Sequence, residues 1–227
     1  TWIYAHIRNW PRHFKVLDAG GGVTGPVQFL MAELGFDVTN IDLALQKPSL
    51  AYRRRYHCSY ELLPSFQNTA YGAFLSEAHC EGRYLKYLTL MRRSLPYQLW
   101  SAIRYAMKHE HWRKSMGLSK SEIGHLSWIQ GSLSDMAELQ DNTFDAVVSL
   151  SALEHIDLVD LDSAIAEAKR VVKPDGRWAV TTSGTERAGT WFHEASRSNC
   201  FSCGDLERLF GASLQEGQSP LAILQKY

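Results

Sequence analysis

A doubly wound α/β fold around a mainly parallel sheet is the architecture this 227-residue chain predicts. Two observations point to it. Short apolar runs alternate with amphipathic stretches near both ends of the chain. Near the N-terminus a strand, a helix and a second strand fit into about thirty residues, the size of a βαβ unit.

Taken in order, Thr1 to Trp10 suits a short helix, with Pro11 near its end. Phe14 to Ala19 stops at Gly20-Gly21-Gly22, as a buried parallel strand running into a tight turn would. Thr24 is a suitable N-cap, and Pro26 fits the first turn of a helix that carries Phe29, Leu30 and Leu34 and ends at Gly35. Phe36 to Asp42 is a second strand. From Leu45 to Gly124 no strand pattern is clear. Leu85, Leu88, Met91 and Leu95, then Leu99, Ile103 and Met107, have helical spacing. Strands resume with His125 to Gln130 and Phe144 to Leu150. Asp157 to Val172 is a helix with Leu161, Ile165, Ala168 and Val172 on one face. Lys173-Pro174-Asp175-Gly176 reads as a turn and Arg177 to Thr182 as a fifth strand. Asp205 to Phe210 is a short helix stopped by Gly211, and Ala212 to Tyr227 suits a terminal hairpin around Ser219-Pro220. The expected division is one domain, 1–45 with 125–227, interrupted after strand two by a helical insertion or lid, 46–124.

Hydrophobic residues make up 45% and charged residues 21%, an ordinary balance for a globular domain. There is no long uncharged apolar run and no signal-peptide layout in Thr1 to Trp10, so a cytoplasmic setting is expected. Four cysteines are too few for a disulfide framework. Cys200 and Cys203 form a single CxxC, and His57-Cys58 and His79-Cys80 lie far from it in sequence, so no metal site is expected. The formal net charge is zero, yet residues 51–120 hold 12 Lys and Arg against 4 Asp and Glu. That asymmetry predicts a region that meets something different from what the rest meets.

In a doubly wound sheet the ligand sits beyond the carboxyl ends of the strands. Gly20, Gly22 and Gly25 have the spacing of a nucleotide-binding loop, where missing Cβ atoms let backbone approach a ligand. That spacing fits both nicotinamide and adenosylmethionine binders. Asp18 would crowd a pyrophosphate but can face a cationic amino group. Asp42, closing strand two, can accept from ribose hydroxyls in either class.

The run Phe144-Asp145-Ala146-Val147-Val148, then Leu153-Glu154-His155, then Arg170-Val171-Val172-Lys173-Pro174-Asp175-Gly176 separates the two. With the glycine loop it resembles the class I S-adenosylmethionine-dependent methyltransferases, particularly the broad bacterial group acting on small molecules. The resemblance covers residues 14–45 and 125–210. It implies a Rossmann-like fold, S-adenosylmethionine as cofactor, and methyl transfer to an O or N atom of a small-molecule acceptor. It implies that Asp18, Gly20, Gly21 and Gly22 hold the methionine part, that Asp42 holds the ribose and that Leu43 packs on the adenine. Ser132 and Leu133 would lie at the adenine edge and Ser149 beneath the sulfonium. The chain departs from the family pattern at Val23-Thr24, which displace the third glycine to Gly25. It departs again at Ser132, where the family has an aspartate that Asp135 would have to replace.

His155 is the leading candidate for a general base, with closure of its loop as the alternative. His193, in Trp191-Phe192-His193-Glu194, is the second; Trp191 and Phe192 either wall an acceptor pocket or belong to the core. The basic insertion interleaves Arg53-Arg54-Arg55, Arg92-Arg93 and Arg113-Lys114 with aromatics. As a lid it would favour an anionic acceptor; nucleic acid or a lipid surface is the less favoured partner. An NAD-dependent oxidoreductase is the alternative from another class.

Overall fold

A computed structural model describes residues 2–22, 26–43, 56, 58–62 and 123–211. Its elements are α1 (Trp2–Ile7), β1 (Lys15–Ala19), α2 (Pro26–Glu33), β2 (Asp37–Asp42), β3 (Ser59–Leu62), β4 (Leu126–Gln130) and β5 (Phe144–Leu150). A 3-10 turn (Leu153–His155) leads into α3 (Leu158–Val171), followed by β6 (Val172–Thr181), β7 (Trp191–His193), β8 (Ser198–Cys200) and α4 (Cys203–Phe210).

Six strands form one sheet in the order β3-β4-β2-β1-β5-β6, with every neighbouring pair parallel. Such strands are buried on both faces, and β1 shows it. Val16 enters a core with Ile7, Phe29, Met31 and Trp128, while Leu17 and Ala19 enter a second with Ile41, Val147 and Val171. The chain runs outward from β1 through β2 and later returns to lay β5 on the other side of β1. The β1–β5 seam is therefore the switch point, where such sheets bind ligands.

The five expected sheet strands are present, four of them with ends shifted by at most a residue. Gly35 (φ 90°) and Gly211 (φ 67°) end α2 and α4 in the left-handed region that glycine adopts without strain. α4 also has a capping box: the Ser202 hydroxyl accepts from the Asp205 N–H while the Asp205 carboxylate accepts from Ser202.

Two expectations need correction. Within the segment expected to lack strands, Ser59–Leu62 is β3, pairing with β4 from Ser59↔Ser127 to Leu62↔Gln130. Four residues on a sheet edge are too short for a period-two pattern, so tertiary pairing alone defines them. Nearby Tyr56 is fully buried, its ring 5.1 Å from Phe29 and its hydroxyl 3.1 Å from Glu33 Oε1. Burying an aromatic of this size is worth roughly 2–3 kcal/mol, so this part of the segment belongs to the core. The second correction concerns Lys173 to Gly176, which interrupt a strand instead of preceding one. Phe144 pairs with Val172 and Ala146 with Arg177, so the intervening residues bulge out of β6. A Cβ on Gly176 would lie 2.5 Å from Val172 Cγ1. Lys173 reaches back to Asp145 at 2.5 Å. The helices expected in the insertion, the expected Thr24 cap, Gly25 and the expected terminal hairpin lie outside the described residues.

Candidate active site

The carboxyl ends of β1, β2, β4 and β5 open onto a cavity of about 320 Å³, within the range of small-molecule sites. Gly20 lines it from β1, Asp42 and Leu43 from β2, and Ser132 and Leu133 from the loop after β4. Ser151, Ala152 and His155 line it from the turn after β5.

The glycine loop is shaped by close approach. A Cβ on Gly20 would stand 2.5 Å from Ala152 Cβ, and one on Gly21 would stand 1.9 Å from Asp18 Oδ2. Gly20 and Gly22 both have positive φ, 76° and 62°. The Gly22 N–H donates to Asp42 Oδ2 at 3.0 Å, so Asp42 ties the loop to β2 as well as facing the cavity. Asp18 lies beneath Gly21, buried, and accepts from Asn40 Nδ2 at 2.8 Å. Burial pushes its carboxyl up to about 6; the Asn40 amide opposes this and the nearby Asp42 charge adds to it.

Leu43 is half-exposed, its carbonyl held by Gln130 Nε2 at 3.0 Å. Ser132 forms a tight turn in which its hydroxyl meets Ser134 Oγ at 2.7 Å and accepts from the Ser134 N–H at 3.2 Å. Asp135, at the end of that turn, is exposed and is not among the cavity-lining residues.

At the end of β5, Ser151 adopts φ 51°, an unfavourable value for a non-glycine residue. Its N–H is held by the Thr181 carbonyl at 3.0 Å, which directs the chain into the 3-10 turn carrying His155. His155 Nδ1 lies 3.2 Å from the carbonyl oxygen of Arg197. A carbonyl only accepts, so Nδ1 carries the proton, and in the neutral ring Nε2 keeps its lone pair.

Of the residues picked from sequence, Gly20, Asp42, Leu43, Ser132, Leu133 and His155 meet at this one cavity. Gly21, Gly22 and Asp18 form the layer behind it. Ser149 is buried, its hydroxyl donating to the Ala19 carbonyl at 3.0 Å, and it links β5 to β1 without lining the cavity. His193 does not line the cavity either: its Nδ1 lies 2.6 Å from Ser196 Oγ, inside the β7–β8 hairpin. Trp191 and Phe192, on the same strand, are 40% and 47% exposed and so do not belong to the core. Sequence reading passed over Ser151, Ala152, Asp157 and Asp160. Ser151 and Ala152 were within reach of the rule that ligands sit at strand ends. Asp157 carried a misleading signal: it stands at the N-cap of α3 yet makes no side-chain cap hydrogen bond.

Among the described residues the lining has three carboxylates, Asp42, Asp157 and Asp160, and no lysine or arginine. Among them, too, no group of three or more His, Cys, Asp or Glu is placed to hold a metal, and no helix is long and apolar enough to cross a membrane. The motif residues Asp145 and Arg170 sit away from the cavity. Asp145 accepts from the Lys15 N–H at 2.9 Å, and Arg170 caps the Met136 and Leu139 carbonyls at 2.7 and 2.8 Å.

The family model described as "Methyltransferase domain" matches residues 75–180, a span that takes in β4, β5 and α3 and leaves out the glycine loop. No curated protein matches significantly. Among solved structures, the cyclase SpnF is 16% identical with a TM-score of 0.50, over 93% of this chain and 54% of its own. A Pyrococcus horikoshii protein is 17% identical with a TM-score of 0.48, over 93% of this chain and 77% of its own. A Burkholderia thailandensis 1,6-didemethyltoxoflavin-N1-methyltransferase, solved with that substrate and S-adenosylhomocysteine, is 18% identical with a TM-score of 0.46, over 93% of this chain and 63% of its own. The chain thus spans little more than half the length of the cyclase and under two thirds of the Burkholderia enzyme. The cyclase likeness supports the fold alone, and a fold does not name a reaction. The family match bears on the two cofactor classes that the glycine spacing left open: over residues 75–180 the chain is similar to a methyltransferase domain.

Proposed function

We propose that this chain transfers a methyl group from S-adenosylmethionine to an oxygen or nitrogen atom of a small-molecule acceptor by in-line displacement. The observation that carries the reading is the meeting, in one cavity, of Asp42 at the end of β2 and His155 with its Nδ1 taken up by the Arg197 carbonyl. The cofactor supplies a methyl group already activated on a sulfonium. The protein's task is then to bind, orient and take a proton. Holding the reacting atoms in line can supply about 7–11 kcal/mol.

In this reading Asp42 accepts from the ribose hydroxyls while its Oδ2 also receives the Gly22 N–H. Leu43 covers the adenine, and Ser132 and Leu133 meet its edge. The backbone of Gly20, Gly21 and Gly22 passes along the methionine part. Asp18 acts from behind Gly21 as a buried negative charge; a cationic amino group in front of it favours the ionised carboxylate. Ser149 ties the β5 end to the β1 end beneath the sulfonium. His155 Nε2 would take the acceptor's proton as the acceptor bonds to the methyl carbon and the carbon–sulfur bond breaks, with S-adenosylhomocysteine as the leaving group. The Arg197 carbonyl stabilises the resulting imidazolium through the Nδ1 hydrogen bond. The base role falls to His155 and not His193, because only His155 lines the cavity.

An anionic acceptor would draw its counter-charge from the basic segment 51–120, since the described lining holds three carboxylates and no lysine or arginine. Calorimetry tests the cofactor assignment: the purified chain should bind S-adenosylhomocysteine and ignore NAD. Binding of NAD with no response to either sulfur nucleoside would overturn it.

A further inference from the structure

The turn that carries His155 cannot orient the ring by itself. It spans three residues, has no side-chain cap, and closes with two backbone bonds, His155 N–H to Ala152 and Ile156 N–H to Leu153. So short a 3-10 segment holds little geometry of its own. Among the described residues, the Ser183 hydroxyl donates to Glu154 Oε1 at 3.4 Å, and the bonds to the backbone and ring at the His155 end come from the β7–β8 hairpin. Asn199, in β8 and buried, donates from Nδ2 to the Glu154 carbonyl at 3.2 Å and to the Ile156 carbonyl at 3.0 Å. Those two carbonyls flank His155 in the chain. Two residues before Asn199, Arg197 offers its own carbonyl to His155 Nδ1 at 3.2 Å. Arg197 is at φ 50°, so the peptide that presents this carbonyl follows a strained residue.

The hairpin is itself moored. Phe201, buried just after β8, donates its N–H to the Ser183 carbonyl at 2.9 Å and accepts from the Thr185 N–H at 2.9 Å. Phe201 also packs with Leu153, Leu161, Ile165 and Leu209. A continuous support thus runs from the end of β6 through Phe201 and Asn199 to the turn.

We propose that Asn199 is the positioning residue for His155: its amide fixes the carbonyls on either side of the histidine, which places Nδ1 on the Arg197 carbonyl and leaves Nε2 facing the cavity. The consequence for catalysis rests on the reading of His155 as the base; the positioning itself does not. Asn199 touches no reacting atom. It sets which nitrogen carries the proton and where the other one points.

Nitrogen-15 NMR of the imidazoles, with His155 assigned by its loss in His155→Gln, reads the tautomer without an acceptor. With S-adenosylhomocysteine bound, wild type should show His155 protonated at Nδ1 only. Asn199→Ala should show a mixture of both tautomers, with circular dichroism and S-adenosylhomocysteine affinity unchanged. Asn199→Asp, which keeps the shape and points an oxygen at the two carbonyls, should give the same mixture. A single Nδ1–H tautomer in either folded variant overturns the proposal. Failure of both variants to fold also overturns it, since Asn199 would then serve the fold at large. Once an acceptor is in hand, Asn199→Ala should lower kcat by about 10²-fold in wild type and have no effect in the His155→Ala background. A changed tautomer with unchanged kcat supports the positioning and refutes the base.

Discussion

The two halves of the cavity are built by different means. Around the glycine loop, three hydrogen bonds join residues within about one βαβ unit of each other: Asn40 to Asp18, Gly22 to Asp42, Gly20 to Ile41. The His155 half is held from residues more than forty positions away, Arg197 and Asn199. The first half has tight backbone packing over a buried carboxylate. The second has an exposed ring on a short turn that depends on its neighbours. A cofactor shared by a whole class can be met by a local motif, whereas a proton acceptor has to be aimed from outside.

The largest effect should come from the second half. His155→Ala should lower turnover by roughly 10²–10⁴-fold and leave S-adenosylhomocysteine affinity unchanged in calorimetry. Equal losses in turnover and affinity would erase the distinction between the halves.

The buried carboxylate of the first half should register as a pH effect. The Asp18 carboxyl has a folded value of about 6 against an ordinary 3.8. The folded state therefore holds the proton more tightly, and stability should fall as pH rises from about 4 to 6. The ligand-free protein should lose about 3 kcal/mol across that window relative to Asp18→Asn, which keeps the shape without the charge. Urea melts at a series of pH values give the difference. Parallel curves for the two proteins would mean that Asp18 is solvated.

Asp42→Ala should weaken cofactor binding by about 1.5–3 kcal/mol, the range for hydrogen bonds to a charged group. The loss should appear in the S-adenosylhomocysteine dissociation constant. Unchanged affinity in a folded variant would place the ribose elsewhere. Gly21→Ala should cost about 1–3 kcal/mol of stability, because its Cβ would meet Asp18 and Asn40. A thermal melt equal to wild type would show that the loop yields, and that the first half is looser than its packing implies.

Much was legible in the sequence because it is encoded locally. Apolar strands stopped by glycine, a helix with one apolar face and carboxylates at strand ends determined the α/β class, the order of five strands in the chain, and the first half of the cavity. Leu17 and Val147 are buried because β1 and β5 are central strands, and runs of such residues say so before any partner is known. Tertiary structure alone decided the rest. Ser59–Leu62 is a strand only because β4 lies beside it. The Asp18 carboxylate lies behind the loop in space that a Cβ on Gly21 would fill. Ser149 is turned inward by the Ala19 carbonyl, and His193 is taken up by Ser196 within its hairpin. His155 is aimed by a backbone carbonyl and an amide from a distant hairpin. A carbonyl is common to every residue, so no side-chain pattern reveals which one will accept a hydrogen bond until the chain is folded.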